Sequence, residues 1–543
     1  MLRDILSRHA VRLGLTLALG VLPAALAGCD DPARSEPVAA VDVTAPDTRL
    51  AVGQTLQLAV AVRDAGGEEI AGRQVTWTSS NEAVATVANG QVTGRAPGSV
   101  TITASAGGKQ DQVEVAVDPA AARVTLEPDT FRLVVGNTVA IRPPTGDALA
   151  NARARVLAVP RDASGGVMLG VPVRFSTSSA AVATVSDSGV VRGVAPGTAT
   201  ITARAGGAEG RLTLIVERPY ALTYLGTLGG LPESRAMGIN EAGQVVGYSS
   251  ISTISDEAPL GSRGWTWQNG TLTEVTVTDR TVSAVAPMAI NDRGQIGGLV
   301  YASGGTFAAL WDGGRATLAS VIGGSIFGGM NERGEIVGGW RSQLCTRNCS
   351  GGGWIFRAGT VKEISNQGQL RIFPEGIDDT GRIAGTLFTV QSGTESARAF
   401  VMQSDSAPAT FLPTNAIASQ AHDIDSQGRV VGQDLVDGYR GFLWTLGGAL
   451  VHFGRLGGGF IAVATDVNDQ GVAVGRSNCT GCTDFVPVLF RGAALTRIED
   501  LFVAGDWVWH TSTDINDRGQ IVGYGTHRTT GVRGALLLTP PAP

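Results

Sequence analysis

The sequence predicts an all-β chain: a cleaved leader, two tandem β-sandwiches, then a seven-bladed β-propeller. Two internal repeats predict it. A nine-residue motif recurs seven times: aliphatic residue, Asn or Asp, two variable residues, Gly, one residue, apolar residue, one residue, Gly. Its copies start at Ile239, Ile290, Met330, Ile377, Ile424, Val467 and Ile515, in steps of 51, 40, 47, 47, 43 and 48 residues. A period of 40 to 50 residues with strand composition is what a propeller blade occupies. Upstream, a domain-sized pattern occurs twice, over Val75–Gly108 and Val173–Gly207. With 543 residues, several cores are required.

The N-terminus reads as a leader. Arg3, Arg8 and Arg12 precede an apolar run from Leu13 to Leu26. That run is too short and too terminal for a stable span. It closes on Leu26-Ala27-Gly28-Cys29, which resembles the lipobox of bacterial lipoproteins. The resemblance implies cleavage after residue 28 and lipidation of Cys29. Several acyl chains anchor stably, since each buried CH₂ contributes ~0.8 kcal/mol. The expected location is the bacterial cell envelope, on its extracytoplasmic side, with the membrane as partner through the lipid. Residues 29–40 are a polar, Pro-containing tether.

The two upstream copies, residues 41–118 and 121–217, alternate Val, Ile, Leu and Thr with polar residues. Gly, Pro and Asn punctuate them, as in short sandwich strands. Trp77 matches Phe175, Val84-Ala85-Thr86-Val87 matches Val182-Ala183-Thr184-Val185, and Pro97-Gly98 matches Pro196-Gly197. Trp77 and Phe175 are the expected core aromatics. The pair resembles the bacterial immunoglobulin-like domain, group 2, apart from an insertion near Arg142–Asn151 in the second copy. That family serves adhesins, invasins and stalks, so it implies a surface-exposed spacer.

From residue 218 to 540 the longer period takes over. A second mark precedes a hydrophobic strand in each repeat, as in Gly264-Trp265-Thr266-Trp267 and Gly441-Phe442-Leu443-Trp444. A third, LGTLGG at Leu225–Gly230, recurs as RLGGG at Arg455–Gly459. Together they resemble the HAF repeat of bacterial extracellular proteins, a family defined by its pattern. Asn-x-x-Gly between apolar runs fits a type I turn closed by Gly in the left-handed region, a G1-bulge hairpin. Substituting Gly294 or Gly519 should therefore cost more than a missing side chain suggests. Four strands per repeat are expected: around LGTLGG, before the motif, at its end and at the aromatic mark.

Composition narrows the function. Net charge is −6 and there is no basic stripe, so nucleic acid is not an expected partner. The basic residues are almost all Arg, and these form no cluster, which fits codon bias better than an anion site. There is no nucleophile elbow, zincin motif or P-loop.

Four cysteines follow Cys29. Cys345/Cys349 and Cys479/Cys482 sit at the same repeat position in repeats three and six, nearly opposite one another on a ring of seven. They cannot share one zinc with S–Zn bonds of ~2.3 Å. An oxidising compartment favours two local disulfides. The residue before each motif is small in repeats one to four, and is Asp423, Asp466 and Asp514 in repeats five to seven. Three converging carboxylates suit Ca²⁺ or acid/base chemistry on a glycan, against backbone capping as the plainer reading. No other cofactor is expected. His422, His510, Trp507 and Trp509 lie nearby; exposed aromatics there would stack on sugars, but a Trp-Val-Trp run is more often a strand with one side in the core. The expected function is non-catalytic: an anchored adhesion or binding lipoprotein, with the sandwiches as stalk and the propeller binding a protein or polysaccharide. A propeller-based glycan hydrolase or lyase and a purely structural envelope protein are the alternatives. The long 249–263 and 341–352 segments are expected rim loops.

Overall fold

The computed structural model describes residues 37–147, 155–251, 261–278, 281–303, 305–321, 325–341, 351–364, 371–391, 394–480, 482, 484–492, 494–503 and 505–542. Cys29, Cys345, Cys349 and most of the two expected rim loops lie outside these residues. The described chain is all-β. Two single-turn 3₁₀ segments, Leu228–Gly230 and Ile498–Asp500, are its helices. Among the described residues no helix is long and apolar enough to cross a membrane.

The chain divides into two compact units, residues 1–117 and 118–543. In the first, Arg49–Ala51, Lys109–Asp118, Gly98–Ala106 and Thr76–Ser79 form one sheet. Thr55–Gln57, Gln91–Gly94 and Ala85–Ala88 form another. Period-two alternation sends Val100, Ile102, Val115 and Val117 inward against Leu50, Leu56 and Val92. Trp77 is half-buried and packs against this core without being its centre. The second unit begins with an equivalent module of a five-stranded and a four-stranded sheet. Phe175 there takes the same half-buried place beside Ile141, Ile201 and Leu214.

Among the described residues the rest of the second unit is seven groups of four antiparallel strands in a propeller-like ring; five stand as separate sheets, and the first and last are joined into one eight-stranded sheet by the parallel pair Glu233/Arg533. The inner strands are Glu233–Ile239, Val282–Ile290, Ser325–Met330, Arg371–Ile377, Ala418–Ile424, Ala462–Val467 and Trp507–Ile515. Each packs beside the next, and the seventh beside the first. Neighbouring sheets share apolar layers: Val337 and Ile355 of the third meet Ile377, Ile383 and Phe400 of the fourth. The aromatic mark supplies the largest pieces, with Trp265, Phe356, Phe400, Phe442 and Phe490 fully buried. Each contributes roughly 1.5–3 kcal/mol by leaving water.

The sheets are offset by one strand from the sequence repeat. The strand around LGTLGG, Ala221–Gly226, is the outer strand of the seventh sheet, antiparallel to Arg533–Thr539. The first repeat's opening strand thus closes the ring, and Val522, Ala535 and Leu537 pack on Ile239, Val245 and Trp265 across the seam. The preceding sandwich module docks here. Tyr220 N–H donates to Leu501 O at 2.7 Å, Asn137 Nδ2 to Phe502 O at 2.8 Å, and Arg155 pairs with Asp500.

Candidate functional site at the ring axis

The seven motifs build one mouth of the axis. In each, the Gly N–H donates to the Asn or Asp carbonyl three residues back, as Gly243 does to Asn240 at 3.0 Å. The Asn or Asp side-chain oxygen accepts the N–H four residues on, as Asn240 Oδ1 does from Gln244 at 2.9 Å. The turn glycine is left-handed in all seven, from φ 71° at Gly519 to 91° at Gly381. The turn chemistry expected from sequence holds.

The same Asn also ties sheet to sheet. Asn240 Nδ2 donates to Asn291 O at 3.0 Å, Asn331 Nδ2 to Asp378 O at 3.0 Å, and Asn516 Nδ2 to Asn240 O at 3.0 Å, which closes the circle. Asp378 and Asp425 have no amide to offer. In those two sheets the residue four positions on is Arg382 or Arg429, whose Nε sits on the carboxylate at 2.5 Å. Its second nitrogen reaches the next sheet, Arg382 to Ser426 O at 3.2 Å and Arg429 to Asn468 O at 3.4 Å. Elsewhere Asn is partnered by Gln244, Gln295, Glu335 or Gln520, except Asn468, where Val472 follows and Nδ2 donates to Asn516 O. This exchange was missed, yet it is written in the repeats: Asp occurs where Arg follows four residues later.

The motif's final glycine has a different cause. In every inner strand one residue is left unpaired two places before the motif, a β-bulge. The bulge drives the preceding carbonyl onto the partner strand. A Cβ on Gly432, Gly475 or Gly523 would sit 1.9 Å from that oxygen. The bulged residues are Met237, Met288, Gly328, Glu375, His422, Thr465 and Thr513, and all seven line an axial cavity of about 370 Å³.

The level between bulge and motif holds the predicted aspartates, and they do converge. Asp423 Oδ2 accepts from Val467 N at 3.2 Å, Asp466 Oδ2 from Ile515 N at 2.7 Å, and Asp514 Oδ2 from Ile239 N at 2.8 Å. Each caps the next sheet's backbone, the plainer of the two sequence readings. In the other sheets this position lets backbones touch: a Cβ on Gly376 would lie 2.9 Å from Ile424 N. Burial pushes Asp423 up to about 6, and Asp466 bonds to it side chain to side chain. Burial and the charges of Asp514 and Asp423 hold Asp466 well above the usual carboxylate range. Burial raises Asp514 as well. The trio therefore holds its protons to a higher pH than free carboxyls do, and each member has spent one oxygen on the fold. Among the described residues no group of three or more His, Cys, Asp or Glu is arranged to hold a metal ion. The geometry lends the calcium reading of Asp423, Asp466 and Asp514 no support.

At the mouth a second acidic tier caps backbone in the same sense. Asp292 accepts from Glu241 N, Glu332 from Asp292 N, Asp379 from Glu332 N, Asp469 from Ser426 N, Asp517 from Asp469 N, and Glu241 from Asp517 N. Burial first, then mutual repulsion, raises Glu241, Glu332 and Asp517.

Glu375 and His422 differ from the rest. His422 Nδ1 and Glu375 Oε2 are 2.8 Å apart, and Thr386 Oγ1 donates to the other Glu375 oxygen at 3.1 Å. His422 Nε2 is buried without a hydrogen-bond partner. The threonines at the same level are committed to backbone, Thr465 to Val474 O and Thr513 to Ala236 O. Glu375 was missed, although it holds in repeat four the position of His422 in repeat five.

The remaining expectations divide. Cys479 and Cys482 form a local disulfide with Cα atoms 5.2 Å apart; the Cys345/Cys349 pair falls outside the described residues. Trp509 does not serve as a stacking platform: it is buried with its Nε1 on Ser512 Oγ at 3.1 Å. Trp507 is half-buried against Tyr224, centroids 4.8 Å apart, and His510 bonds Thr526.

Residues 37–117 and 162–216 match the family model of the bacterial Ig-like domain (group 2), so the two N-terminal modules are Ig-like. No curated protein matches the chain. Among solved structures, domains 4 and 5 of the S-layer protein SbsC are 21% identical, covering 33% of this chain and 98% of that one at a TM-score of 0.15. The β-propeller domain of the Trilobed protease from Pyrococcus furiosus is 12% identical, covering 56% and 90% at 0.36. The acylaminoacyl peptidase of Pyrococcus horikoshii is 9% identical, covering 56% and 51% at 0.40. At these scores the likenesses carry no functional argument.

Proposed function

We propose that this chain is an extracytoplasmic binding or adhesion lipoprotein, anchored through Cys29. Its Ig-like sandwiches are the stalk, and a seven-bladed β-propeller head takes a polysaccharide or protein at its axis. One observation carries the binding reading. The repeat keeps its turn residues and both glycines nearly unchanged, while the bulged, axis-facing position takes five residue types in seven repeats: Met237, Met288, Gly328, Glu375, His422, Thr465, Thr513. Such variation on a fixed scaffold is where recognition resides. On the face away from the turns, Ile417, Phe460 and Val436 are 76%, 69% and 46% exposed. Ile417 N–H bonds Leu435 O, and Gly438 abuts the Phe460 carbonyl.

The hydrolase or lyase reading is weaker. Asp423, Asp466 and Asp514 are buried on backbone, which leaves His422 as the one candidate base with a free ring nitrogen. Retention of the purified chain on envelope polysaccharides and on a glycan array tests the proposal, with retained glycans weighed by mass spectrometry. Retention of intact glycan or of a defined envelope protein is the expected result. Shortened glycan would favour the enzyme, and no retention on any surface would leave only a structural role.

A further inference from the structure

The cavity beside His422 is built unlike the rest of the axis. It lies among the third, fourth and fifth sheets, has a volume of about 340 Å³, and is walled by Phe327, Phe373, Pro374 and Phe388. Phe373 and Phe388 meet edge to face, centroids 5.5 Å apart, and form a fixed apolar corner. Gly328, where the first two sheets carry Met237 and Met288, leaves space open. Polar groups converge at one end. His422 Nε2 faces no protein partner, and Gln420 lines the same space with its Oε1 accepting from Gln433 Nε2 at 2.5 Å.

The tautomer follows from the neighbours. Glu375 is an acceptor when ionised, and Thr386 already donates to its other oxygen. A neutral His422 therefore carries its proton on Nδ1, toward Glu375, and leaves Nε2 as an acceptor. An acceptor in a buried, aromatic-walled pocket calls for a ligand O–H or N–H beside an apolar face. The charge of the lining restricts the class. Glu375 is the carboxylate within it, and among the described residues no Lys or Arg lines it; Arg371 lies on the Phe388 ring, 5.1 Å from the centroid, and is not a lining residue. An anionic ligand would lose its hydration there without a countercharge.

We propose that this cavity is a subsite for one neutral pyranose unit. The sugar's C–H face lies on the Phe373–Phe388 corner, and one of its hydroxyls donates to His422 Nε2 once the imidazole turns to open that nitrogen, which is closed to solvent in the structure. Glu375 is a positioning residue that fixes the imidazole. The proposal rests on the axis being a binding site and names what that site takes.

The test uses the purified full chain labelled with ¹⁵N-histidine, with methyl glucoside, methyl galactoside, methyl mannoside and N-acetylglucosamine as probes and glucuronate as the anionic control. Long-range ¹H–¹⁵N spectra read the His422 ring, assigned with His422→Gln. The free protein is expected to show the Nδ1–H tautomer, and at least one neutral sugar to move the Nε2 resonance. Its affinity should fall tenfold or more in His422→Gln and several-fold in Phe388→Ala, with both variants unfolding as the parent does. Glu375→Gln should disturb the tautomer signature and weaken binding without moving the unfolding midpoint comparably. Three results overturn the subsite: no sugar perturbs the ring, glucuronate binds equally well, or His422→Gln binds unchanged. Retention on envelope polysaccharide by both parent and His422→Gln would remove the subsite and keep the binding reading. A His422 response to free sugar with no retention on any envelope surface would do the reverse.

Discussion

Replacing the middle carboxylate of the aspartate trio should stabilise the ring, and only above the pH at which the trio loses protons. A carboxyl whose folded pKa is raised holds more protons folded than unfolded. Stability then falls as pH rises from the unfolded value toward the folded one. For Asp423 that window runs from 3.8 to about 6. At 1.36 kcal/mol per pH unit, it corresponds to ~3 kcal/mol lost by neutral pH. Asp466, which burial and its two acidic neighbours also hold well above the usual carboxylate range, acts in the same direction. Asp466→Asn keeps an oxygen for Ile515 N–H and presents an amide to Asp423 and Asp514, with nothing to titrate. Tryptophan fluorescence is the assay, because Trp77 alone of the nine tryptophans lies outside the ring. The variant's unfolding midpoint should match the parent's near pH 4 and exceed it at pH 7 to 8. A midpoint that falls in parallel with the parent across that range, or lies below it at pH 8, would falsify the shared-proton account.

The two motif glycines should separate in cost. Gly519→Ala meets only an ordinary contact with Pro540 at 3.8 Å and its φ of 71°, about 1–2 kcal/mol, whereas Gly523→Ala also drives a Cβ to 1.9 Å from Thr511 O; equal midpoints in urea would contradict the bulge argument. Asp425→Asn alone strands Arg429 and should cost about 3 kcal/mol. Adding Arg429→Gln restores the pattern of the first and seventh sheets and should recover most of it, measured as a double-mutant cycle. Peptide mapping without reduction should return Cys479–Cys482 and, separately, Cys345–Cys349; a cross-pair between the two would contradict the ring order. Calcium and EDTA should leave the parent's thermal midpoint alike, and a calcium-dependent rise abolished by the triple change Asp423, Asp466 and Asp514→Asn would reinstate the cation.

What the sequence disclosed was whatever repeats. Asn240 and Gly243 announce a turn because their side chain and φ act within five residues, so seven copies declare the hairpin. The Ig-like modules were visible for the same reason, with Val84 to Val87 and Val182 to Val185 in register. The bulge was not visible, because one extra residue in an inner strand leaves no local mark; its trace is Gly432 or Gly523 on the partner strand. The one-strand offset was hidden too, since every repeat contains the same four strands wherever the count begins. Glu375 and His422 stand 47 residues apart and meet only because successive repeats fold side by side. Trp509 followed the plainer of its two readings: an aromatic run at a sheet's inner strand is consumed by packing.

The closing strand also determines where mechanical load enters. Ala221–Gly226 follows the second sandwich after a few residues and is held in the seventh sheet by its ladder to Arg533–Thr539. A pull on the ring from the N-terminal side would act first on this strand and peel the circle at its seam. The dock at Ile498–Phe502 intervenes. Tyr220 N–H on Leu501 O, Asn137 on Phe502 O and Arg155 on Asp500 clamp the sandwich to the neighbouring connection before the seam strand begins. Tension is shared with the sixth and seventh sheets, much as a cable gland takes the strain off a soldered joint.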